Sequence, residues 1–454
     1  MGTLGERGNS GASRAPLVGF RDAFYACLSG WSDALFELTD AALCGPASVG
    51  SVPSLSLEPV FRRSHGSLYK ALAAGRIDAE ALRGALVTHR PAGWPLVFAI
   101  DASTWDRCDA ETSPERGFYY SASKHSAGQP IVAGWSYQWI AELDWAPDSW
   151  TAPLDVLRIP PGADAVAATI AQVGALVGRL PDERAVPLFV FDAGYDPIAL
   201  GAGLADTRAA ILVRIRSDRV FYPDPVPTPV GAVGRPRRHG ARFACADPAG
   251  RLEPDAVLAT HDPRYGDVRV EAWHGLHPKL QNRGRWVDTH APIVRGTVIR
   301  VVVEHLPRPT ARTVKTLWLW WSGPGILDLD VCWRAYLRRF DLEHTFRFAK
   351  GTLGWTTPAL RTPEQADRWT WLVVAAYTQL RLARRLVADD HLPWERPCDP
   401  ARLTPSRVRR GFRRLRAAIG TPASPPKSHT AGPGRPRGTR RPARTRYPAV
   451  KRAA

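Results

Sequence analysis

The 454-residue sequence lacks the features that mark secreted and membrane proteins. It contains no run of about 18 apolar residues, which a membrane-spanning helix needs. Residues 1–16 are rich in Gly and Ser and lack the apolar segment of a signal peptide. The six cysteines are scattered without a CxxC pair, which argues against both a zinc site and a disulfide framework. We therefore expect a cytoplasmic protein with no membrane partner.

Lysine is also scarce, with seven residues against 54 arginines, and the formal net charge is +18. Guanidinium groups bind phosphates in a bidentate manner, so this composition favours a nucleic-acid partner over an anionic lipid. A GC-rich genome would produce the same arginine bias. Acidic residues are absent from 401–454, which hold 16 Lys and Arg, whereas residues 1–400 carry a net charge of only +2. The excess charge therefore belongs to the C-terminal region.

Hydrophobic periodicity divides the chain into regions of different character. Short apolar runs that alternate with helical patterns predict an α/β fold with a mixed sheet flanked by helices. The first helical region is interpreted either as a DNA-binding unit or as a helical cap on the main domain. The predicted regions are a flexible N-terminus (1–16), a helical, DNA-binding region (17–90), the first part of the catalytic domain (91–216), a β-rich insertion (217–322), the helical part of the catalytic domain (323–397) and a disordered, basic Arg/Pro-rich tail (398–454).

Individual elements follow from the same patterns. Buried strands are predicted at Leu96–Ile100, Val186–Phe191 and Ala209–Ile215, and further strands at Gly117–Ser121, Pro130–Leu143, Val268–Trp273, Val298–Glu304 and Val314–Trp321. Helices are predicted at Phe20–Leu38, Ser67–Ala74, Ala79–Val87, Ala163–Leu180, Asp328–Lys350 and Ala366–Leu386, with a short helix allowed at Ser406–Ile419.

Two aspartates follow buried strands directly. Asp101 ends the first strand within AIDAST, and Asp192 ends the second within FVFDAGYD. Ligands and metals of α/β sheets lie at such strand ends. A single aspartate in this place is often only a helix cap or turn residue, but two in matching positions indicate a functional pair.

A third feature lies on the predicted helix Asp328–Lys350. Tyr336, Arg339, Glu343 and Lys350 stand at offsets that place them within an arc of roughly 60° on a helix of 3.6 residues per turn. Arg347 extends the same stripe. The stripe has a second interpretation as an ordinary solvated face, because Arg339 and Arg347 can each pair with Glu343.

Three carboxylates from two strand ends and a helix are the usual ligands of two hard cations such as Mg²⁺. In a two-metal site, one ion activates water or a 3′-hydroxyl while the other stabilises the leaving oxygen. Cations beside the carboxylates would hold the DNA backbone. This chemistry predicts phosphodiester hydrolysis or transesterification.

The spacing Tyr336-x2-Arg339-x3-Glu343-x6-Lys350 resembles the Y-R-E-K signature of bacterial insertion-sequence transposases of the insertion-sequence-four type, within the DDE superfamily. AIDAST and VFDAGYD resemble that family's two Asp motifs. The resemblance implies an RNase H-like catalytic domain with a β-rich insertion. It also implies that Asp101, Asp192 and Glu343 are the catalytic, metal-binding triad, and that Tyr336, Arg339, Arg347 and Lys350 contact DNA.

The implied function is DNA transposition by an endonuclease that binds terminal inverted repeats, cuts there and joins the ends to target DNA. Two Mg²⁺ ions are expected as cofactors, with Mn²⁺ substituting. The partners are double-stranded DNA and a second copy of the chain in a synaptic homodimer, and the location is the nucleoid. Two alternatives stay open: a non-catalytic DNA-binding protein derived from a transposase, and a hydrolytic nuclease of the same fold.

Three other motifs carry weaker predictions. The tail segment Gly434–Gly438 resembles an AT-hook core, so Arg435 and Arg437 are candidate minor-groove ligands or non-specific phosphate contacts. The tryptophans of the insertion are interpreted as strand core or, by resemblance, as a base-stacking group. His274 and His277 form an H-x2-H motif without further ligands, for which we expect a loop role rather than metal binding.

Overall fold

The computed structural model describes residues 13–121, 130–181, 185–227, 229, 234, 237–248, 251–279, 286, 292–306, 316–427, 436, 438 and 443–450. The chain forms two compact units. Unit 1 comprises Met1–Gly93, Ala102–Ala163 and Asp341–Ala454, and unit 2 comprises Trp94–Asp101 and Asp164–Phe340. These boundaries group the chain differently from the predicted functional domains, which stay a prediction.

Unit 1 combines helices from both ends of the chain with antiparallel strands. Its elements, numbered in chain order over the whole protein, are α1 (Ala15–Ala26), β1 (Leu28–Gly30), α2 (Ser32–Cys44), α3 (Val52–Leu55), α4 (His65–Ala74), β2 (Arg76–Ile77), α5 (Ala79–Thr88), the end of β3 (Val97–Asp106), β4 (Gly117–Tyr120), β5 (Ile131–Leu143), β6 (Thr151–Ile159), α9 (Phe340–Gly351), α10 (Pro363–Ala383) and α11 (Pro405–Ile419). Strand β5 pairs with β4 and β6 in antiparallel fashion. Aromatic rings fill its core, with Trp139 and Trp355 at a centroid distance of 4.9 Å.

Unit 2 contains the start of β3 and most of the sheet. Its other elements are α6 (Ala165–Val177), β7 (Leu188–Phe191), α7 (Pro197–Gly203), β8 (Ala210–Ile215), β9 (Val220–Tyr222), β10 (Phe243–Ala244), β11 (Ala256–Asp262), β12 (Gly266–Pro278), β13 (Gly296–Val303), β14 (Thr316–Ser322) and α8 (Leu329–Arg338). The strand order is β10-β9-β12-β13-β14-β8-β7-β3, with β11 beside β12. Strands β3, β7 and β8 are parallel, and the insertion strands are antiparallel. This mixed sheet with flanking helices confirms the predicted α/β fold class.

Helix starts follow the capping residues in the sequence. Asp78 accepts the backbone N–H of Ala81 at the start of α5, and Asp164 accepts those of Val166 and Ala167 at the start of α6. Asp328 caps α8 in the same way. These side chains satisfy donors that the first turn of a helix leaves unpaired, so each places a helix start at a defined residue.

Several element predictions differ from the structure. The predicted helix Phe20–Leu38 is interrupted by β1 and by Trp31, whose φ of 56° is incompatible with a continuing right-handed helix. Strand β3 continues five residues beyond Asp101 instead of ending there. The sequence analysis contains no strand at β6, which includes Pro153; its described pairing is with β5 alone, and an unpaired strand edge tolerates proline.

The basic C-terminal region contributes to the fold of unit 1. Helix α11 forms where the sequence allowed a short helix, and it buries Val408, Phe412 and Leu415. Arg416 donates to Asp40 at 2.9 Å, and Asp40 also binds Arg21 at 2.6 Å. Because the Arg21 and Asp40 side chains are only 2% and 0% exposed, the loss of Asp40 would leave the buried charge of Arg21 without a counter-charge. The helices of the described residues are each too short or too polar to cross a membrane.

Deleting residues 401–454 should therefore destabilise unit 1. The three buried apolar side chains of α11 alone correspond to about 5 kcal/mol of burial free energy, and Asp40 would also lose Arg416. We expect a clearly lower Tm in thermal unfolding. Deleting only 428–454, which retains α11, is the matched control and should lower Tm much less. Equal Tm values for both truncations would contradict this role of α11.

Candidate active site

The two predicted aspartates lie on neighbouring parallel strands. Ala99 of β3 pairs with Val190 of β7, and extending this register by two residues brings Asp101 level with Asp192, just beyond the end of β7. Adjacent strands lie about 4.8 Å apart, so the register brings both carboxylates to one edge of the sheet of unit 2. The buried run Leu188–Phe191 anchors this register in the core.

The turn after β7 is shaped by its own side chains. Asp192 accepts the backbone N–H of Gly194 through Oδ1 at 2.8 Å. Tyr195 packs on the ring of Phe191 at a centroid distance of 5.0 Å. Asp196 caps α7 by accepting from Ile198 and Ala199. The turn therefore fixes the Asp192 carboxylate, and the second aspartate of FVFDAGYD has a structural role.

Arg339 supplies the positive charge at this edge. Its Nη1 donates to Oδ2 of Asp101 at 2.7 Å, and the two side chains are only 12% and 16% exposed. Burial acts to lower the pKa of Arg339, but attraction to Asp101, Tyr336 and Asp192 outweighs it and raises the pKa above its usual value. Arg339 is thus fully charged and lies in the field of both aspartates. The largely buried ring of Tyr336 has its centroid 6.0 Å from the Arg339 guanidinium carbon.

The predicted single helix Asp328–Lys350 is two helices, which is a correction to the sequence analysis. Helix α8 ends at Arg338, Arg339 is its C-cap, and α9 begins at Phe340. The Arg339 N–H is shared between the carbonyls of Ala335 and Tyr336, a tightened last turn that needs no Gly or Pro. Without such a residue, the sequence contains no signal for the interruption.

The interruption separates the predicted site residues between the two units. Asp101, Asp192, Tyr336 and Arg339 belong to unit 2, and the structure brings them together as described. Glu343, Arg347 and Lys350 belong to unit 1 and lie on α9. Glu343 and Arg347 are exposed, while Lys350 donates to the carbonyl of Thr104 at 3.1 Å. Their roles stay predictions.

Other predicted residues have different outcomes. Arg435 and Arg437 lie outside the described residues. Trp273, Trp318 and Trp320 form a buried cluster of the insertion, as the strand-core interpretation expects. His274 and His277 lie on β12, so their predicted loop role is wrong: the N–H of His274 is bound by Asp255, and His277 is fully buried.

The donor set at the sheet edge consists of the carboxylates of Asp101 and Asp192. Carboxylate oxygens such as those of Asp101 and Asp192 are the preferred ligands of hard cations, so the chemistry fits. Among the residues that the structure describes, however, no group of three or more His, Cys, Asp or Glu side chains is arranged to hold a metal ion. At Asp101, Oδ2 accepts a hydrogen bond from Arg339.

Sequence reasoning missed the partner of Arg339. Its spacing to Glu343 indicated a pair within one helix, whereas the observed partner lies 238 residues away in sequence. It also missed Gly194 as the donor to Asp192. The position of each aspartate directly after a short apolar run gave a usable signal, because it depends on local pattern alone.

In unit 2, Asp101 lies within β3 of a mixed α/β sheet, and Asp192 directly follows the neighbouring parallel strand β7. Among known families, the model of the DDE superfamily endonuclease family matches residues 23–279. The match covers more than half of the chain, which therefore belongs to this family. It includes Asp101 and Asp192 and ends before Tyr336. The fold is consistent with the RNase H-like domain of such enzymes. No curated protein matches the chain.

Gly194→Ala tests the turn that holds Asp192. A Cβ at this position would lie 3.1 Å from Asp192 Oδ1, so the carboxylate or the turn must shift by a few tenths of an ångström. Since small misplacements of reacting groups are costly, we expect DNA cleavage with Mg²⁺ to fall by about tenfold with little change in Tm. Gly174→Ala in α6, where a Cβ meets no atom within 4 Å, is the control. Wild-type cleavage by the Gly194 variant would contradict the positioning of Asp192 by this turn.

Proposed function

We propose that the protein is the DNA transposase of an insertion sequence, of the insertion-sequence-four type. The observation that supports this proposal is the parallel pairing of β3 with β7, whose extension by two residues brings Asp101 level with Asp192, in a chain of the DDE endonuclease family. The Y-R-E-K spacing of Tyr336, Arg339, Glu343 and Lys350 supports the transposase type, although the family match ends before it.

Asp101 and Asp192 are the proposed metal-binding carboxylates, with Glu343 as the predicted third. When bound, two Mg²⁺ ions would activate the attacking oxygen and stabilise the leaving oxygen. The protein's own residues hold these carboxylates in position. The β3–β7 register and the Gly194 N–H hold the aspartates, and the buried strands beneath them keep the site rigid.

DNA contacts are assigned by charge and exposure. Arg347 is exposed on α9 and suits a phosphate contact directly. Arg339 and Lys350 have internal partners in Asp101 and the Thr104 carbonyl, so they would exchange these partners for phosphate oxygens. Tyr336 is largely buried and would position Arg339 through its ring.

The arginines of the basic C-terminal region fall into two groups, according to whether they have partners within unit 1. Arg409 donates to the carbonyls of Ala42 and Ala47, and Arg416 binds Asp40. These arginines stabilise unit 1 and do not add to a DNA tether. We therefore assign the salt-sensitive tether to residues beyond Lys427, where Arg435 and Arg437 are the candidate minor-groove contacts.

The substrate is double-stranded DNA, at the transposon ends and at the target, and a homodimer would join two ends in synapsis. The family description favours one second candidate, a hydrolytic nuclease of the same fold. The two functions differ in the acceptor: a transposase joins the freed 3′-hydroxyl to a second DNA, whereas a nuclease uses only water.

The test is an Mg²⁺-dependent cleavage and strand-transfer assay with Asp101→Asn, Asp192→Asn and Glu343→Gln. Each variant removes one negative charge from a proposed ligand and should reduce both reactions by more than about 100-fold. Asp164→Asn is the matched control, because asparagine caps a helix about as well as aspartate and Asp164 serves as the cap of α6.

The outcomes separate the candidates. Cleavage with joined product supports a transposase, and cleavage without joining in the presence of target DNA supports the nuclease. Full activity of the Asp192 variant would show that the catalytic assignment is wrong.

A further inference from the structure

The contact between Arg339 and Asp101 is short and largely buried. Arg339 Nη1 lies 2.7 Å from Asp101 Oδ2, and both side chains are largely withdrawn from water. Tyr336, beside Arg339, is also buried. A buried, charge-assisted pair of this length is among the stronger polar contacts in proteins. A new ligand of Asp101 would therefore have to weaken or break this pair.

A divalent cation bound to Asp101 would conflict with this contact. Carboxylate oxygens approach Mg²⁺ at about 2.1 Å, so a cation and the guanidinium would lie within a few ångströms of each other around one carboxylate. Like charges at that separation repel strongly where water is scarce. In the observed geometry Arg339 binds Oδ2 of Asp101, so a cation on Oδ1 would lie beside the guanidinium charge and would bind more weakly for that reason.

We propose that Arg339 and the divalent cation compete for Asp101, and that DNA resolves the competition by giving Arg339 a phosphate as its new partner. This inference rests on the proposed function and concerns the regulation of the same site. Metal loading is then coupled to DNA: the cation binds weakly to the free protein and more tightly once a phosphate has drawn Arg339 away.

Two properties of Arg339 fit this exchange. Guanidinium groups bind carboxylates and phosphates with the same fork geometry, so one partner can replace the other. The side chain also follows the last residue of α8, at the interruption before α9, so it can change partner without disturbing a helix interior. By thermodynamic linkage, the metal must then strengthen DNA binding by the same factor by which DNA strengthens metal binding.

The test measures Mn²⁺ affinity by calorimetry on the full-length protein, without DNA and with a short double-stranded oligonucleotide. Signal from unrelated sites is removed by subtracting the Asp101→Asn/Asp192→Asn double variant. Without DNA, Arg339→Gln should bind Mn²⁺ about tenfold more tightly than wild type, a typical size for coupling between sites. DNA should tighten Mn²⁺ binding to wild type by a similar factor and have little effect on the Gln variant.

Two further variants separate charge competition from loss of packing. Arg339→Lys keeps a cation beside Asp101, so its Mn²⁺ affinity without DNA should stay near that of wild type. Arg334→Gln removes a cation from α8 that pairs with Asp330 and Asp262 instead, and it should leave Mn²⁺ affinity unchanged. Tighter binding by all three variants would overturn the proposal, because the effect would then reflect general charge.

The remaining outcomes distinguish this inference from the function on which it rests. If Mn²⁺ binding depends on Asp101 and Asp192 but is the same in wild type and Arg339→Gln, the competition is wrong and the proposed function stands. If the double variant binds Mn²⁺ as wild type does, with and without DNA, the metal site itself is wrong and both proposals fail.

Discussion

The register between β3 and β7 is the constraint on which the rest of the site depends. Buried apolar residues hold both strands in the sheet of unit 2, and a slip of one residue would turn every side chain to the opposite face. In the observed register the pattern delivers two carboxylates to one sheet edge. Core packing of the strands thus fixes the positions of the Asp101 and Asp192 carboxylates. These two negative charges would repel each other without a cation nearby.

Arginines pair with carboxylates in both units. Arg339 neutralises the strand-end aspartates from α8. Within unit 1, Arg21 and Arg416 share Asp40 and bind the helical ends of the chain to each other. A net charge of +18 therefore overstates the cations that are available to DNA, since part of the arginine content stabilises the fold.

Local pattern predicted much of the fold. Strands β7 and β8, helices α4 to α6 and the β-rich insertion follow from runs and periods that a short window contains. The prediction failed where structure depends on residues distant in sequence. Strand β6 tolerates Pro153 because of its place in the sheet. The interruption of the helix at Arg339 has no Gly or Pro that would mark it in the sequence.

The same limit applies to the site. Asp101 and Asp192 were recognisable from their strand-end positions, whereas the pairing of Arg339 with Asp101 was not, because contacts between residues 238 positions apart leave no periodic trace. The positions of Glu343 and Lys350 on α9 followed from helical spacing, but spacing alone could not indicate that this helix begins anew after Arg339.

The central proposal is that Asp101, within β3, and Asp192, directly after β7, together hold a divalent cation. Anomalous diffraction at the manganese edge, from crystals of the full-length protein grown with Mn²⁺, tests it most directly. We predict an anomalous peak between the two carboxylates, with the Arg339 guanidinium displaced from Asp101. Manganese bound only elsewhere, or bound here with the Arg339–Asp101 contact intact, would contradict the account.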